Sequence, residues 1–257
     1  MNIPCAAPSL KQLAVWLLAI TLVSWSLGML IVILDGGSPG TQGAEGSLPL
    51  VIPCPDADNA MIAIEMESGT INLSSGETGS LLSGMITGSR LTPPLHLAEA
   101  VVNGTCMITL KQNQPVFIDP LDEDDSWDLS LNPGLPVALS VENGAGDITV
   151  NSGTTPLTSL LIDAGAGNIL VNLSGWSGVH MPVSVTVGIG DLTILLPEHA
   201  KIAASLENGI GTRTISGLDG VNGQYTRSAP GPGAPVLSLS VSQGVGDFTM
   251  RVVEEER

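Results

Sequence analysis

Cations are scarce in this chain. Eight lysines and arginines stand against 25 aspartates and glutamates in 257 residues, and only Lys11 of the cations lies before residue 35, so the rest carries 7 cations against 25 acids, a net −18. A nucleic-acid surface needs a basic stripe to neutralise phosphates, and anionic lipid headgroups need the same, so the composition disfavours both partners. The acidity also keeps an apolar, strand-rich protein from associating with itself. Aromatics are fewer still: one tyrosine, two phenylalanines and four tryptophans. That is too few for a stacking platform for sugars or single-stranded nucleic acid; Trp127 and Trp176 read as core plugs or turn caps. His96, His180 and His199 are far apart and in no ligand-spaced motif, so they read as surface or loop histidines. No serine stands in a nucleophile elbow and no Cys/His pair is suggested. The sequence therefore names no catalytic residue, no cofactor-binding residue and no metal ligand, and a hydrolase has nothing to rest on.

What is present begins with one long uncharged run, residues 13–34 (LAVWLLAITLVSWSLGMLIVIL), which holds Trp16 and Trp25. As a helix it would reach about 33 Å, against a hydrocarbon core of about 30 Å. A signal peptide would have a shorter apolar stretch and a small-residue cleavage site, so the run predicts a single transmembrane helix. Lys11 precedes it and no cation follows until Arg90, which places residues 1–12 in the cytoplasm and the rest outside, at the cell membrane. Cys5 is then separated from Cys54 and Cys106, the two outside cysteines. A bridge between them would stabilise the domain by roughly 4 kcal/mol; a buried free thiol fits Cys106 equally, because it lies in phase with Ile108 and Leu110.

Residues 35–59 are rich in Gly, Pro and Ser with little periodicity and read as a tether. From Met61 the pattern alternates. Ile62, Ile64 and Met66 share one face, Glu65 and Glu67 the other, and Ser68-Gly69 turns the chain into Ile71 and Leu73. A less clean copy runs through Ala100, Val102, the Asn103-Gly104 turn, Ile108 and Leu110. The acidic run 122–125 then joins this β part, residues 60–125, to a regular array over 126–253, with a charged tail at 254–257.

In that array a Gly-x-Gly step starts at Gly144, Gly165, Gly188, Gly209 and Gly244; the first four recur every 21 to 23 residues, the signature of a stacked repeat. Each unit offers two short strands with one apolar face: Leu139 and Val141 before the first turn, Ile148 and Val150 after it; Leu160 and Ile162, then Ile169 and Val171, in the second. One unit is too small to bury that face, but units stacked at about 4.8 Å would join the rows into one core. The predicted fold is an all-β solenoid of two-strand coils. Glycine suits the turns because positive φ costs it little. A nucleotide fingerprint would need a helix after the glycines, and strands follow instead.

Three details stand apart. The residue after each turn reads Asp147, Asn168, Asp191, Thr212, Asp247; stacked in chain order, acids would sit about 10 Å apart, too far to share calcium, and the alternation reads as avoidance of like-charge stacking. Residues 223–235 form a Gly/Pro insertion carrying Tyr225 and Arg227, either a working face or a mobile loop. Arg213 occupies a slot that is apolar in the other units, which predicts a register shift at the end of the regular stack or an acid to meet it.

The stretches IEMESGTINLSSGETGSLLSG (64–84) and SWDLSLNPGLPVALSVENGAGDITVNSG (126–153), with the later GAGN, GIGD and GVGD turns, resemble the toast-rack type of bacterial envelope protein and the related extracytoplasmic domains of LiaF-type cell-wall-stress proteins. The Trp-Asp-Leu-x-Leu-Asn-Pro-Gly run before the first turn is the specific part. The resemblance covers residues 61–252 and implies a non-enzymatic β-solenoid outside the cytoplasm, in some members linked to membrane stress-sensing kinases. A single membrane helix departs from the LiaF-type pattern. The functional expectation is a membrane-anchored interaction or structural module with a protein partner in the envelope; the alternative is a sensor of a cation or wall fragment that signals through its helix.

Overall fold

The computed structural model describes residues 46–253 apart from 56, 78, 89–94, 113–124, 229–230 and 232. The expected membrane helix at 13–34, the segment 1–12, the tether before Gly46 and the tail 254–257 lie outside the described residues. Everything described belongs to one compact unit, Ser38–Arg257, and among the described residues the regular elements are all strands.

The first part runs through β1 (Gly46–Ile52), β2 (Asn59–Ser68), β3 (Thr70–Ser75), β4 (Leu82–Gly88), β5 (Leu95–Val102), β6 (Thr105–Gln112) and β7 (Ser126–Leu131). The array follows with β8 (Val137–Ala145), β9 (Ile148–Asn151), β10 (Leu157–Ala166), β11 (Ile169–Asn172), β12 (His180–Ile189) and β13 (Leu192–Pro197). It ends in β14 (Lys201–Ile210), β15 (Arg213–Ser216), β16 (Asp219–Val221), β17 (Gln224–Arg227), β18 (Val236–Val245) and β19 (Phe248–Val253). The strands lie where residues alternate, and burial alternates with them along β2, β6 and β8.

From β2/β3 onward each coil places a longer strand in one sheet and, after a glycine turn, a shorter one in the other. The sheets read β1-β4-β7-β3-β9-β11-β13-β19-β15 and β16-β17-β14-β18-β12-β10-β8-β2-β6-β5. The coils stack in parallel: Ile162 pairs with Val141 below and Val185 above, and Ile169 with Ile148 and Leu192. Their inward rows merge into one hydrophobic cluster from Leu50 to Met250, so the solenoid expected from the repeat is the fold found.

The order of the stack differs from the order of the chain. From one end the coils are β6/β7, β2/β3, β8/β9, β10/β11, β12/β13, β18/β19 and β14/β15. The unit with the Gly244 turn thus lies between those turning at Gly188 and Gly209. The Asn103-Gly104 turn is not a coil turn: it closes an antiparallel hairpin of β5 on β6 within one sheet, and both residues take positive φ, 51° and 78°, as a tight hairpin requires.

The stretch read as a tether contains β1, paired antiparallel with β4 over its whole length. Pro49 has no N–H for a ladder, which an edge strand such as β1 tolerates. The insertion expected to project from the stack instead contributes β17, which pairs antiparallel with β14 over Ile202–Ser205 and with β16. Cys54 and Cys106 form a disulfide across 52 residues, with Cα atoms 6.4 Å apart.

Candidate functional site at the open end of the stack

The glycine corner sets the geometry. The second glycine of each turn has φ between +122° and +145° at Gly146, Gly167, Gly190, Gly246 and Gly211, as positive-φ turns demand. The first glycine does not; it is required by close approach. A Cβ on Gly165 would stand 2.4 Å from the carbonyl oxygen of Gly144, and one on Gly188 the same distance from that of Gly165.

Close stacking at the corner leaves a backbone N–H to satisfy, and the column after the glycines does so. The Asn168 N–H donates to Asp147 Oδ1 (2.8 Å), Asp191 N–H to Asn168 Oδ1 (3.2 Å), Asp247 N–H to Asp191 Oδ1 (2.9 Å) and Thr212 N–H to Asp247 Oδ1 (2.8 Å). Each side chain therefore caps the coil above it. This replaces the charge-avoidance reading: with the last unit inserted below the fourth, Asp191 and Asp247 occupy adjacent rungs, and the ladder needs an oxygen acceptor whether the residue is Asp or Asn. Thr212 ends the ladder.

Buried amides hold the inner side of the corner. Asn143 Nδ2 donates to the Gly69 carbonyl (2.9 Å), and Gln243 Nε2 to that of Gly190 (2.6 Å). Gln112 Oε1 accepts from the Glu67 and Ser68 N–H groups (2.8 and 3.1 Å), while its Nε2 donates to Asp125 Oδ2 (2.6 Å). Sequence reading passed over these residues; a polar amide in the apolar phase at the end of a strand was the available signal.

Arg213 lies on the last coil, in register with Phe248, and the pairing runs from Arg213 to Ser216 without a shift. The expected slip is therefore absent, and so is a buried ion pair. The side chain is exposed because no described coil covers β15. Phe248, fully buried, closes the apolar column one rung below. Beside Arg213 opens a shallow cleft of about 530 Å³, lined by Leu206, Glu207, Asn208, Asn222 and Gln243, so that one acid and one guanidinium share it. Charge is distributed unevenly along the rack. Residues 46–197 hold 16 acids and 2 bases, whereas 198–253 hold 4 of each.

Elsewhere Lys111 Nζ donates to Glu65 Oε2 at 2.6 Å on the outer face. That hydrogen bond, with the fields of Glu65, Glu142 and Glu67, raises the Lys111 pKa above its ordinary 10.5 against the opposing effect of burial. Glu65, Glu142 and Asp163 follow one another on adjacent rungs of that face. The three histidines lie on β5, on β12 and after β13; His96 and His180 are exposed, and a ring nitrogen of His199 lies 3.0 Å from the Trp176 carbonyl oxygen. Trp127 and Trp176 are buried, the latter donating its indole N–H to the Leu157 carbonyl (2.8 Å), so both fill the core as expected. Tyr225 packs against the core, and Arg227 donates to the Gly217 carbonyl (3.0 Å). Among the described residues one group of three potential metal-ligand atoms converges, Cys54, Glu99 and Cys106, and two of these are the disulfide.

Comparison with known proteins gives one family. The profile of a family described as the N-terminal domain of toast_rack, DUF2154, matches residues 41–195, more than half of the chain. No curated protein matches. Among solved structures, a cell-adhesion candidate from Clostridium sporogenes ATCC 15579 is 18% identical and superposes with a TM-score of 0.76, covering 82% of this chain and 100% of that one. It shares the fold. An adhesin candidate from Bacteroides fragilis NCTC 9343, 12% identical over 82% of this chain and 97% of its own, superposes at only 0.29.

Proposed function

The chain belongs to the toast-rack family, and on that footing we propose that it is a non-enzymatic interaction module of the bacterial cell envelope, anchored by residues 13–34 with its rack outside the cytoplasm. The observation that carries this reading is how the polar side chains of the stack are used. The Asp/Asn ladder and the amides of Gln112, Asn143 and Gln243 are bonded to backbone, so the chemistry legible in the sequence builds the rack, and its long faces and end are left for contact. The Cys54–Cys106 bridge supports a compartment outside the cytoplasm, since disulfides persist in oxidising surroundings. The LiaF-type resemblance supports a part in the envelope-stress response.

Crosslinking in native membranes followed by mass spectrometry tests the reading. It expects recurrent envelope proteins linked to residues 46–253. A rack that yields no crosslinked protein, but whose melting temperature rises with calcium or wall fragments, would favour the sensor instead.

A further inference from the structure

We propose that the bare edge of the last coil, from Glu207 to Ser216, takes up an extended acidic segment of a protein partner by strand addition, with a partner carboxylate entering the cleft beside Arg213. This rests on the reading of the rack as an interaction module and adds to it a docking edge and the chemistry of what docks.

The edges of the stack are treated unequally. At one end β4 and β1 lie antiparallel over β7, and β5 lies antiparallel over β6. At the other end β17 and β16 cover β14 as far as Gly223, whose carbonyl accepts the Leu206 N–H at 2.7 Å. Beyond that point, among the described residues, nothing pairs with the outer side of β14, the glycine turn or β15. A bare strand edge is a template for another strand.

Its hydrogen-bonding character follows from the stack. The N–H groups of Gly69, Gly146, Gly167, Gly190 and Gly246 each donate to the carbonyl of the next coil, and those of Ile71, Ile148, Ile169, Leu192 and Phe248 do the same. The two series end at Gly211 and Arg213, whose N–H groups have no described coil beyond them. The glycine carbonyls that face the next coil in the same way end at Gly209 and Gly211, so the backbone edge offers a strand both donors and acceptors, and the guanidinium is the added donor that favours an anionic side chain on it. The corner also lies in the part of the rack where charge is balanced, and exposed Arg251 stands one strand back. Glu207 lines the cleft and Asp247 caps Thr212 beside it, so the local charge is balanced where the rest of the surface is acidic. An acidic segment is repelled least here, with Arg213 the group that draws its carboxylate. Ile189, Val245 and Ile210, exposed on neighbouring rungs, lead an apolar ridge up to the same corner.

A charge on an edge strand also discourages pairing between copies. That role is compatible with selectivity, because Arg213 repels cationic strands and leaves apolar ones its desolvation to overcome, while admitting acidic ones. A second copy fits poorly: the chain carries a net charge of −17, and Thr212 in place of Asp or Asn offers no carboxyl or amide oxygen to a further coil.

The test is fluorescence anisotropy of a labelled, capped peptide, Thr-Val-Thr-Glu-Thr-Val-Thr, and its Gln counterpart, titrated with the full chain in detergent. The Glu peptide should bind about two- to fivefold more tightly, as one ion pair at an exposed site implies. Arg213→Leu should abolish the difference, Arg213→Glu should transfer the preference to a Lys peptide, and the Gly211 and Arg213 amides should gain hydrogen-exchange protection in the complex. Equal binding of the Glu peptide to wild type and Arg213→Leu, no binding to wild type, protection elsewhere, or a peptide-free dimer protecting these amides would each overturn the proposal. Crosslinking of Arg213→Glu in native membranes separates the two levels: retained partners sink this edge and leave the interaction module standing, whereas no partner for wild type sinks both.

Discussion

Gly167 lies in the middle of the stack, where the corner geometry leaves no room for a side chain, and Gly167→Ala measures that demand. The residue has φ +142°, and a Cβ there would stand 2.0 Å from the carbonyl oxygen of Gly146, where real Cβ atoms stay beyond 3.0 Å. Relief requires the two coils to part by about 1 Å at the corner, since both contacting groups are backbone. Three hydrogen bonds cross that seam beside it: Gly146 N–H to the Ala166 carbonyl (2.8 Å), Ile148 N–H to the Asn168 carbonyl (3.0 Å) and Asn168 N–H to Asp147 Oδ1 (2.8 Å). Stretched by that amount they are effectively lost, at about 1 kcal/mol each. The positive φ adds about 1–2 kcal/mol for an alanine. The expected cost is about 4–5 kcal/mol, or roughly 8–20 °C in melting temperature for a domain of this size.

Urea unfolding followed by the fluorescence of buried Trp127 and Trp176 reads the change directly. Gly231→Ala is the control, because a Cβ there meets nothing within 4 Å, and it should stay within about 0.5 kcal/mol of wild type. Gly211→Ala makes the same kind of clash, with the Gly246 carbonyl, but its coil has a described neighbour on one side only and can lift away, so its cost should be about half. A Gly167→Ala protein within about 1 kcal/mol of wild type would refute the close-approach argument.

Asp247→Ala should cost about 1 kcal/mol and speed exchange of the Thr212 amide, whereas Asp247→Asn keeps the acceptor and should match wild type; an Asn variant as weak as the Ala variant would refute the ladder. Cys54→Ser should lower stability by roughly 4 kcal/mol in urea titrations without reductant, and reductant should remove the difference from wild type. Lys111→Ala should cost no more than about 1 kcal/mol at pH 7, because both members of the pair are partly in water. The Lys111 pKa is raised on folding, so that contribution is complete below 10.5 and fades as pH climbs through the raised value; a difference between variant and wild type that grows with alkalinity would contradict it.

The coil repeat was legible because its physics is local: a two-strand unit needs one alternating face and a glycine corner, and both recur within 21 to 23 residues. What escaped reading was non-local. Every unit offers much the same inward pattern, so nothing in Leu239 and Val241 says whether they stack on Leu206 or on Val185; they stack on both rows. Arg213 was the clue. A guanidinium in an apolar slot suggests a register shift where the regular stack ends; it does mark the end of the column, and because no described coil covers it no shift is needed. The disulfide stayed open for a related reason, since Cys106 follows the core phase whether free or bridged and only the packing brings Cys54 to it. The first glycine of each turn was assigned to backbone conformation, but its φ is ordinary and the neighbouring carbonyl is what forbids a side chain.

The displaced coil also explains the insertion. Three residues join β13 to β14, and on that short connection the chain steps over one rung, leaving a gap about 10 Å wide between β12 and β14. The coil β14/β15 then has no parallel neighbour until residues 236–253 return to fill the gap, and the return needs the 19 residues between Ser216 and Val236 that ordinary connections in the array, of five or seven, do not. The hairpin of β16 and β17 uses part of that length to cover β14. An insertion that reads as a decoration on a regular stack is thus the connection that lets a later coil enter between two earlier ones. Its cost is loop-closure entropy, which grows slowly with length, and its consequence is that the terminal coil with Arg213 depends for support on the segment that follows it in sequence.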